Sequence, residues 1–433
     1  MADEPTTDPH APAADARWGG TAVLLALVVA VAAVLRLVGI RHGLSNPGAA
    51  DESLAGRAWR MSHGGGLDPH AFRTPSGLLD LLAAVEAPFA HPSILAARIA
   101  VVVLALGAVA ATWWAGAVYG QIAGGVAAAI VAVETLHVAA AHTVSPAVVA
   151  TLPVAGALGF LARDRLVLAG LAAGVAAAVD YRAVLLLVPL VGAGWGRWRP
   201  FTLAVVGGVV AFAALSPFAL LHPGVALGDL ADSVRGGTAA AGVGAVAQLW
   251  DGFGPVLVVA LLGFSLATAQ RRGTADLALA AFAGAGLLIL VALGSPTASA
   301  TLVLVPALAI LAARVRYLAA VTVILLAVPL TWAIRADARL VRQEPAVKAA
   351  VRLFPHGAPA PDLGPRGLRL ERRRPYGAGG RHPPHGLQEV HVNFRGYPGR
   401  TAIPLCERDT GAKTQRVPCF SHVVRSLVPI DPA

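Results

Sequence analysis

Charge is the scarcest ingredient of this chain. Asp, Glu, Lys and Arg make up 13% of its 433 residues, against about a quarter in soluble domains. Aromatic residues reach only 6% while hydrophobic residues reach 56%, so Ala, Val and Leu carry the apolar content. There are two cysteines, and His391 and His422 near them lack ligand spacing, which argues against a zinc site. Basic stripes interleaved with aromatics are missing too, so the net charge of +10 does not signal a nucleic-acid partner. That charge is also local. The residues from 335 onward hold 17 Lys+Arg and 8 Asp+Glu, or +9, and the first 334 hold 17 and 16, or +1. Residues 1–20, "MADEPTTDPHAPAADARWGG", lack the basic start of a signal peptide. Acidic and rich in Pro and Ala, they are expected to form a disordered cytoplasmic tail.

What is abundant is apolar sequence without a polar face. Runs fall at about 21–40, 94–118, 122–138, 145–162, 166–179, 183–195, 200–221, 254–270, 276–294, 298–313 and 317–334. Most are long enough to cross roughly 30 Å of hydrocarbon, and period-3.6 polarity is weak in them. The expected fold is an all-α polytopic membrane protein with about eleven transmembrane helices over residues 21–335. With the N-terminus inside, Arg163, Arg165, Arg197, Arg199, Arg271, Arg272, Arg314 and Arg316 lie in cytoplasmic connections. Outside the first long loop, only Arg182 and Arg235 then lie outward, the bias the positive-inside rule predicts. This pattern requires two crossings between Arg165 and Arg197, both short, and puts the C-terminus outside. The basic residues Arg335, Arg339, Arg342, Lys348 and Arg352 run against it, although long tails translocate largely regardless of charge. Segments 41–93, 222–253 and 335–433 would share the outer face. Apolar pieces of the first loop, such as "SGLLDLLAAVEAPF", suit helices lying along the interface.

That loop contains the adjacent acids Asp51 and Glu52 in "SNPGAADESLAGRAW". Neighbouring residues on a helix point about 100° apart, so the two carboxylates face different surroundings. A carboxylate shielded from water can serve as a general base. An acidic pair at a helix N-terminus can equally stabilise the helix dipole. Both readings stand at this level.

A wider pattern surrounds the pair. Arg36-Leu37-Val38-Gly39 leaves the first helix, Asp51-Glu52 follows, then "DPHAFRTPSGLL" over Asp68–Leu79. Further on come "ETLHVAAAHTVSPAVVATL", "LAGLAAGVAAAVDYRAVLLLVPL" and "LSPFALLHPGVALGDL". In order and spacing, over about residues 20–335, this resembles the protein mannosyltransferase-like membrane glycosyltransferases and their aminoarabinose-transferase relatives, of the GT-C type. The resemblance implies transfer of a sugar from a polyprenyl-phosphate donor to a glycan, lipid or protein acceptor on the extracytoplasmic face. It implies Asp51 as the base for the acceptor hydroxyl and Glu52 as an orienting or loop-supporting group. A lipid-phosphate leaving group needs cationic or hydrogen-bonding partners. The candidates are His70 and Arg73 in the loop motif, Arg98 at the start of the second span, His137 and His142 around the outer turn after the third, and Arg182 in the "VDYRA" break. Each also has a plainer reading: snorkelling for the arginines, a structural role for the histidines, and neutralisation of Arg182 by Asp180. Two departures matter. Ala147 stands where the family places a second acid, so a metal contact there does not carry over. Asp180 precedes Tyr181 where the family has Lys. No cofactor is assigned, and a divalent metal is left open.

Residues 336–433 turn basic and rich in Pro and Gly, as in "LGPRGLRLERRRPYGAGGRHPPHG", with a strand-like alternation in "LQEVHVNFRGYPG". This extracytoplasmic region is expected to be small, mixed and loop-rich. Cys406 and Cys419 could then close a disulfide. The protein is expected in a bacterial plasma membrane as a multi-pass protein. Two other functions are open: a transporter or flippase, for which Glu134 is the clearest mid-span charge, and a non-catalytic relative, suggested by Ala147.

Overall fold

The computed structural model describes residues 14–42, 44, 49–69, 72–235, 243–270, 273–293, 299–315 and 318–353, and four strands between 369 and 418. Helix α1 (Ala14–Leu37) begins inside the stretch expected to be a tail, and residues 1–13 lie outside the described ones. Its Val23, Leu27, Val31 and Val34 are exposed, a stripe three to four residues apart that lipid would cover. The first loop folds into α2 (Ala49–Ser62) and α3 (Gly77–Glu86). Ser93 then caps α4 (Ile94–Gly116), its hydroxyl accepting from Ala96 N at 3.3 Å.

The third apolar run is not one straight helix. It divides into α5 (Gln121–Val133) and α6 (Thr135–Ala141), bent by 56° at Glu134. Next come α7 (Pro146–Ala162) and α8 (Leu166–Val179). A 3-10 turn (Tyr181–Leu186) leads into α9 (Leu187–Gly194), so the run after Asp180 is separate from α8. Beyond α10 (Trp198–Leu215) lie the short α11 (Pro217–Leu221), then α12 (Pro223–Arg235) and α13 (Val243–Phe253). The chain turns by 113° into α14 (Val256–Gln270). Gly254 makes that corner with φ +56°, backbone that a side chain disfavours. The remainder is α15 (Thr274–Leu293), α16 (Ser299–Leu302), α17 (Val305–Ala313), α18 (Ala319–Leu325) and α19 (Ala327–Leu353). By length and hydropathy, four of the described helices can cross a membrane singly, or six spans if each bent pair is one, beside shorter apolar helices. Helix α17 is apolar and buried on every side; it forms the centre of the bundle, against α4, α5, α7 and α14.

Polar contacts gather the connections into two ends. At one, Arg163 donates to Trp114 O at 2.6 Å and Arg197 pairs with Asp164. There too, Arg314 grips Asp276 at 2.8 and 2.6 Å, beside Tyr119. These are connections that the arginine distribution assigned to the cytoplasm. At the other end the first loop meets the segment after α10. Ser76 N donates to Ser216 Oγ at 3.1 Å, Phe72 N to Asp229 Oδ2 at 2.7 Å, and His222 lies 3.2 Å from Asp68.

Helix α8 packs against α10 through Gly170 and Gly174, four residues apart. A Cβ on Gly170 would strike Ala204 O, and one on Gly174 would strike Gly208 O. Small residues let two membrane helices touch backbone to backbone, where lipid offers no hydrophobic force between them. Gly174→Leu should therefore separate α8 from α10, at a cost of at least about 1–3 kcal/mol. Thermal unfolding in detergent reads this directly, and an unchanged midpoint would contradict the contact.

Half-buried Asp80 in α3 supplies a pH signature. Burial pushes its carboxyl up to about 6 against a hydrogen bond with Ser76. The folded state therefore holds this proton more tightly than the unfolded chain. The corresponding stability is present below the unfolded value near 3.8 and is lost as pH rises through about 6. Asp80→Asn should flatten the dependence of loop proteolysis on pH between 4 and 7; an unchanged slope would refute it.

Arg342–Ala433 form a second compact unit. It contains an antiparallel sheet in the order β1 (Arg369–Glu371), β2 (Glu389–Asn393), β3 (Thr401–Asp409), β4 (Thr414–Pro418). Strand β2 falls in the segment where alternation predicts one. Cys406 lies in β3 opposite Val417. Cys419 lies outside the described residues, and so does the proposed disulfide.

Candidate active site

Beyond α1 the chain turns at Gly39, where φ is +78°, and exposes carbonyls that no helix satisfies. Arg98, in the second turn of α4, captures two of them, donating through Nη1 to Ile40 O at 2.9 Å and His42 O at 2.6 Å. Its remaining face meets Asp51 in the first turn of α2. Nε and Nη2 donate to Oδ2 at 3.1 and 2.6 Å, while Val144 N, from the turn before α7, donates to Oδ1 at 2.7 Å. Asp51 is 3% exposed and Arg98 4%. One carboxylate thus joins α2, α4 and the α6–α7 turn. A carboxylate has about four acceptor positions, and donors among the described residues fill three of them, leaving one on Oδ1. Arg98 is committed to this pair and is not a free cation for phosphate.

His142 closes the same turn. Its Nε2 donates to Val38 O at 2.8 Å and lies 3.8 Å from Asp337 Oδ1 of α19. A carbonyl only accepts, so Nε2 carries a hydrogen. Among the described residues, Nδ1 is buried without a hydrogen-bond partner. Burial, with Arg36 and Arg98 nearby, holds this imidazole below the usual histidine range.

His137 lies in α6 rather than in the turn. Its Nδ1 accepts from Arg36 Nη2 at 2.8 Å and its Nε2 donates to Thr151 Oγ1 at 3.1 Å. This fixes the tautomer, because guanidinium has only donors. Arg36, fully buried, also donates to Ala32 O, Ala132 O and Val131 O at 3.1, 2.9 and 3.0 Å. Glu134 accepts from His137 N and caps α6. The mid-span acid that suggested transport is a helix cap.

The other expected residues fall elsewhere. Arg73 is exposed on the first loop. Arg182 is half-exposed, 3.7 Å from Asp180, which also accepts from Arg182 N at 2.9 Å. The Glu52 side chain and His70 lie outside the described residues. Sequence reasoning gave no site role to Arg36, Asp337, Asp68, Asp229 or His222. The first two carried a signal, being ionisable groups in or beside apolar runs, where such groups pair. Among the described residues, no group of three or more His, Cys, Asp or Glu could hold a metal.

The chain is a helical membrane bundle with two helices in its first loop and polar residues gathered at that end, and its fold is GT-C-like. Two solved structures are similar to it. One is ArnT from Cupriavidus metallidurans bound to undecaprenyl phosphate, at 18% identity and a TM-score of 0.55, over 68% of this chain and 59% of that one. The other is the oligosaccharyltransferase AglB from Archaeoglobus fulgidus, in complex with an inhibitory peptide and a dolichol-phosphate, at 13% identity and a TM-score of 0.56, over 75% and 56%. The chain thus spans less than two thirds of either. At these identities the likeness is one of fold. No protein-family model and no curated protein matches the chain.

Proposed function

We propose that the protein transfers a sugar from a polyprenyl-phosphate donor to an acceptor hydroxyl at the extracytoplasmic end of the bundle. The observation that carries this reading is the buried Asp51, fixed by three donors from two other elements at the loop-bearing end of a GT-C fold. The acceptor oxygen attacks the anomeric carbon, the bond from that carbon to the phosphate oxygen breaks, and polyprenyl phosphate leaves with the electron pair. Asp51 takes the hydroxyl proton on the remaining Oδ1 position. A strong base is not needed, because the transition state is oxocarbenium-like and the hydroxyl becomes acidic as its new bond forms. Arg98 keeps the carboxylate in place. Arg73 and Arg182, both accessible, are the cations assigned to the departing phosphate.

Arg182→Ala should weaken binding of undecaprenyl phosphate to the purified protein by roughly tenfold or more, the value of a charge-assisted hydrogen bond. Arg235→Ala, which removes a basic residue outside the proposed phosphate site, serves as the control. Equal binding by the Arg182 variant and the wild type would remove Arg182 from the site. The reading as a whole is tested by supplying labelled polyprenyl-phosphate sugar to reconstituted vesicles. Label should become covalently attached to an acceptor; label that crosses the bilayer without a new bond would establish a transporter instead.

A further inference from the structure

The break in the third span leaves two sets of unsatisfied backbone groups inside an apolar bundle. The last turn of α5 ends in carbonyls without helical donors, and the first turn of α6 begins with free N–H groups. Hydrocarbon offers no water to either, so protein groups must satisfy them. They do so with opposite charges in the sense each helix end prefers. Arg36 of α1 donates to Val131 O and Ala132 O at the C-terminal end of α5. Glu134 accepts from His137 N at the N-terminal end of α6. His137 Nδ1, accepting from Arg36, links the two caps. Gly252 of α13 lies so close to Glu134 Oε1 that a Cβ would collide with it, so the carboxylate is confined from that side as well.

Two turns of helix later, α6 ends in the turn that supplies His142 to Val38 O and Val144 N to Asp51. We infer that Glu134 and Arg36 are positioning residues, whose clamp on the helix break aims the 142–144 turn at Asp51. An unbroken helix through residue 134 would carry residues 142–144 in another direction, and Asp51 Oδ1 would lose its only backbone donor among the described contacts. The role requires the oxygen atoms of residue 134 and not its charge. This separates it from an ion-carrying acid, which must titrate. The part concerning catalysis rests on the transfer reading; the part concerning the turn does not.

The test is hydrogen exchange of the 142–146 segment, by mass spectrometry on full-length protein in lipid nanodiscs, alongside transfer kinetics. Glu134→Ala should raise exchange in this segment tenfold or more. It should lower kcat without moving KM for the donor. Glu134→Gln, whose amide oxygen still accepts from His137 N, should restore both to near wild-type values. Gly252→Ala, which pushes the carboxylate off that N–H, should reproduce the Ala result and replaces it if Glu134→Ala does not fold. Unchanged exchange in the cap-removing variants overturns the inference. A Gln variant that exchanges as fast as the Ala variant overturns it too. If no variant, wild type included, transfers sugar, the exchange result still decides the clamp, and only the transfer reading fails.

Discussion

Asp51→Asn is expected to lose sugar transfer and to destabilise the protein, and a second substitution separates the two effects. Removing the negative charge leaves Arg98 buried with its carbonyl contacts but no counter-ion. Breaking a buried ion pair from one side typically costs about 3–5 kcal/mol, whereas replacing both partners by residues of similar volume is often neutral. Asp51→Asn/Arg98→Met removes both charges but leaves Ile40 O and His42 O without their donor, so it should lose clearly less thermal stability than the two single losses added together, while transfer stays absent. Detergent melting curves and label transfer on the same four proteins give the complete cycle. A double variant that is stable and still transfers sugar would make Asp51 purely structural. A loss equal to the sum of the two single losses would mean that the pair is not coupled.

Arg36→Leu is expected to have the largest effect on folding of any change outside the Asp51 pair. One side chain supplies donors to three carbonyls on two helices and to the His137 ring, all away from solvent. Each buried acceptor left without a donor costs about 1–3 kcal/mol, and in the membrane no water replaces it. Losing even two or three places the total at several kcal/mol, enough to deplete folded protein from membranes. Arg36→Lys keeps the charge, but a single ammonium cannot fork across the same carbonyls, so an intermediate loss is expected. Folded yield by fluorescence size-exclusion chromatography measures both. Yields equal to wild type for Arg36→Leu would show that the α5 end does not depend on this residue.

Much of the fold could be read from composition and arginine placement. Long apolar runs admit few architectures, and arginines flanking them divide the connections into two faces, the grouping seen in the contacts of Arg163, Arg197 and Arg314. The broken third span was not legible as a break. Residues 122–138 keep a uniformly apolar average, and the bend depends on Glu134 leaving helical geometry at ψ 118°, a local decision fixed by Arg36 nearly a hundred residues away. The site was legible in part. Asp51 and Arg98 were each singled out, but with separate tasks, because sequence spacing does not reveal that residues 47 apart form one ion pair. His137 and His142 looked equivalent at five residues apart; one is locked to Arg36 and the other lies against Val38 and Asp337. Asp337 was hidden by the expectation that the last span ends near 334, whereas α19 continues to Leu353.

Free polyprenyl phosphate is the product that no transporter or scaffold would generate from a polyprenyl-phosphate sugar. Its release by purified, reconstituted protein in the presence of candidate acceptors, followed by lipid mass spectrometry, tests the central claim most directly. The account predicts release that depends on an acceptor and disappears in Asp51→Asn/Arg98→Met. Intact donor after incubation with every acceptor class, or release that persists in that double variant, would contradict it.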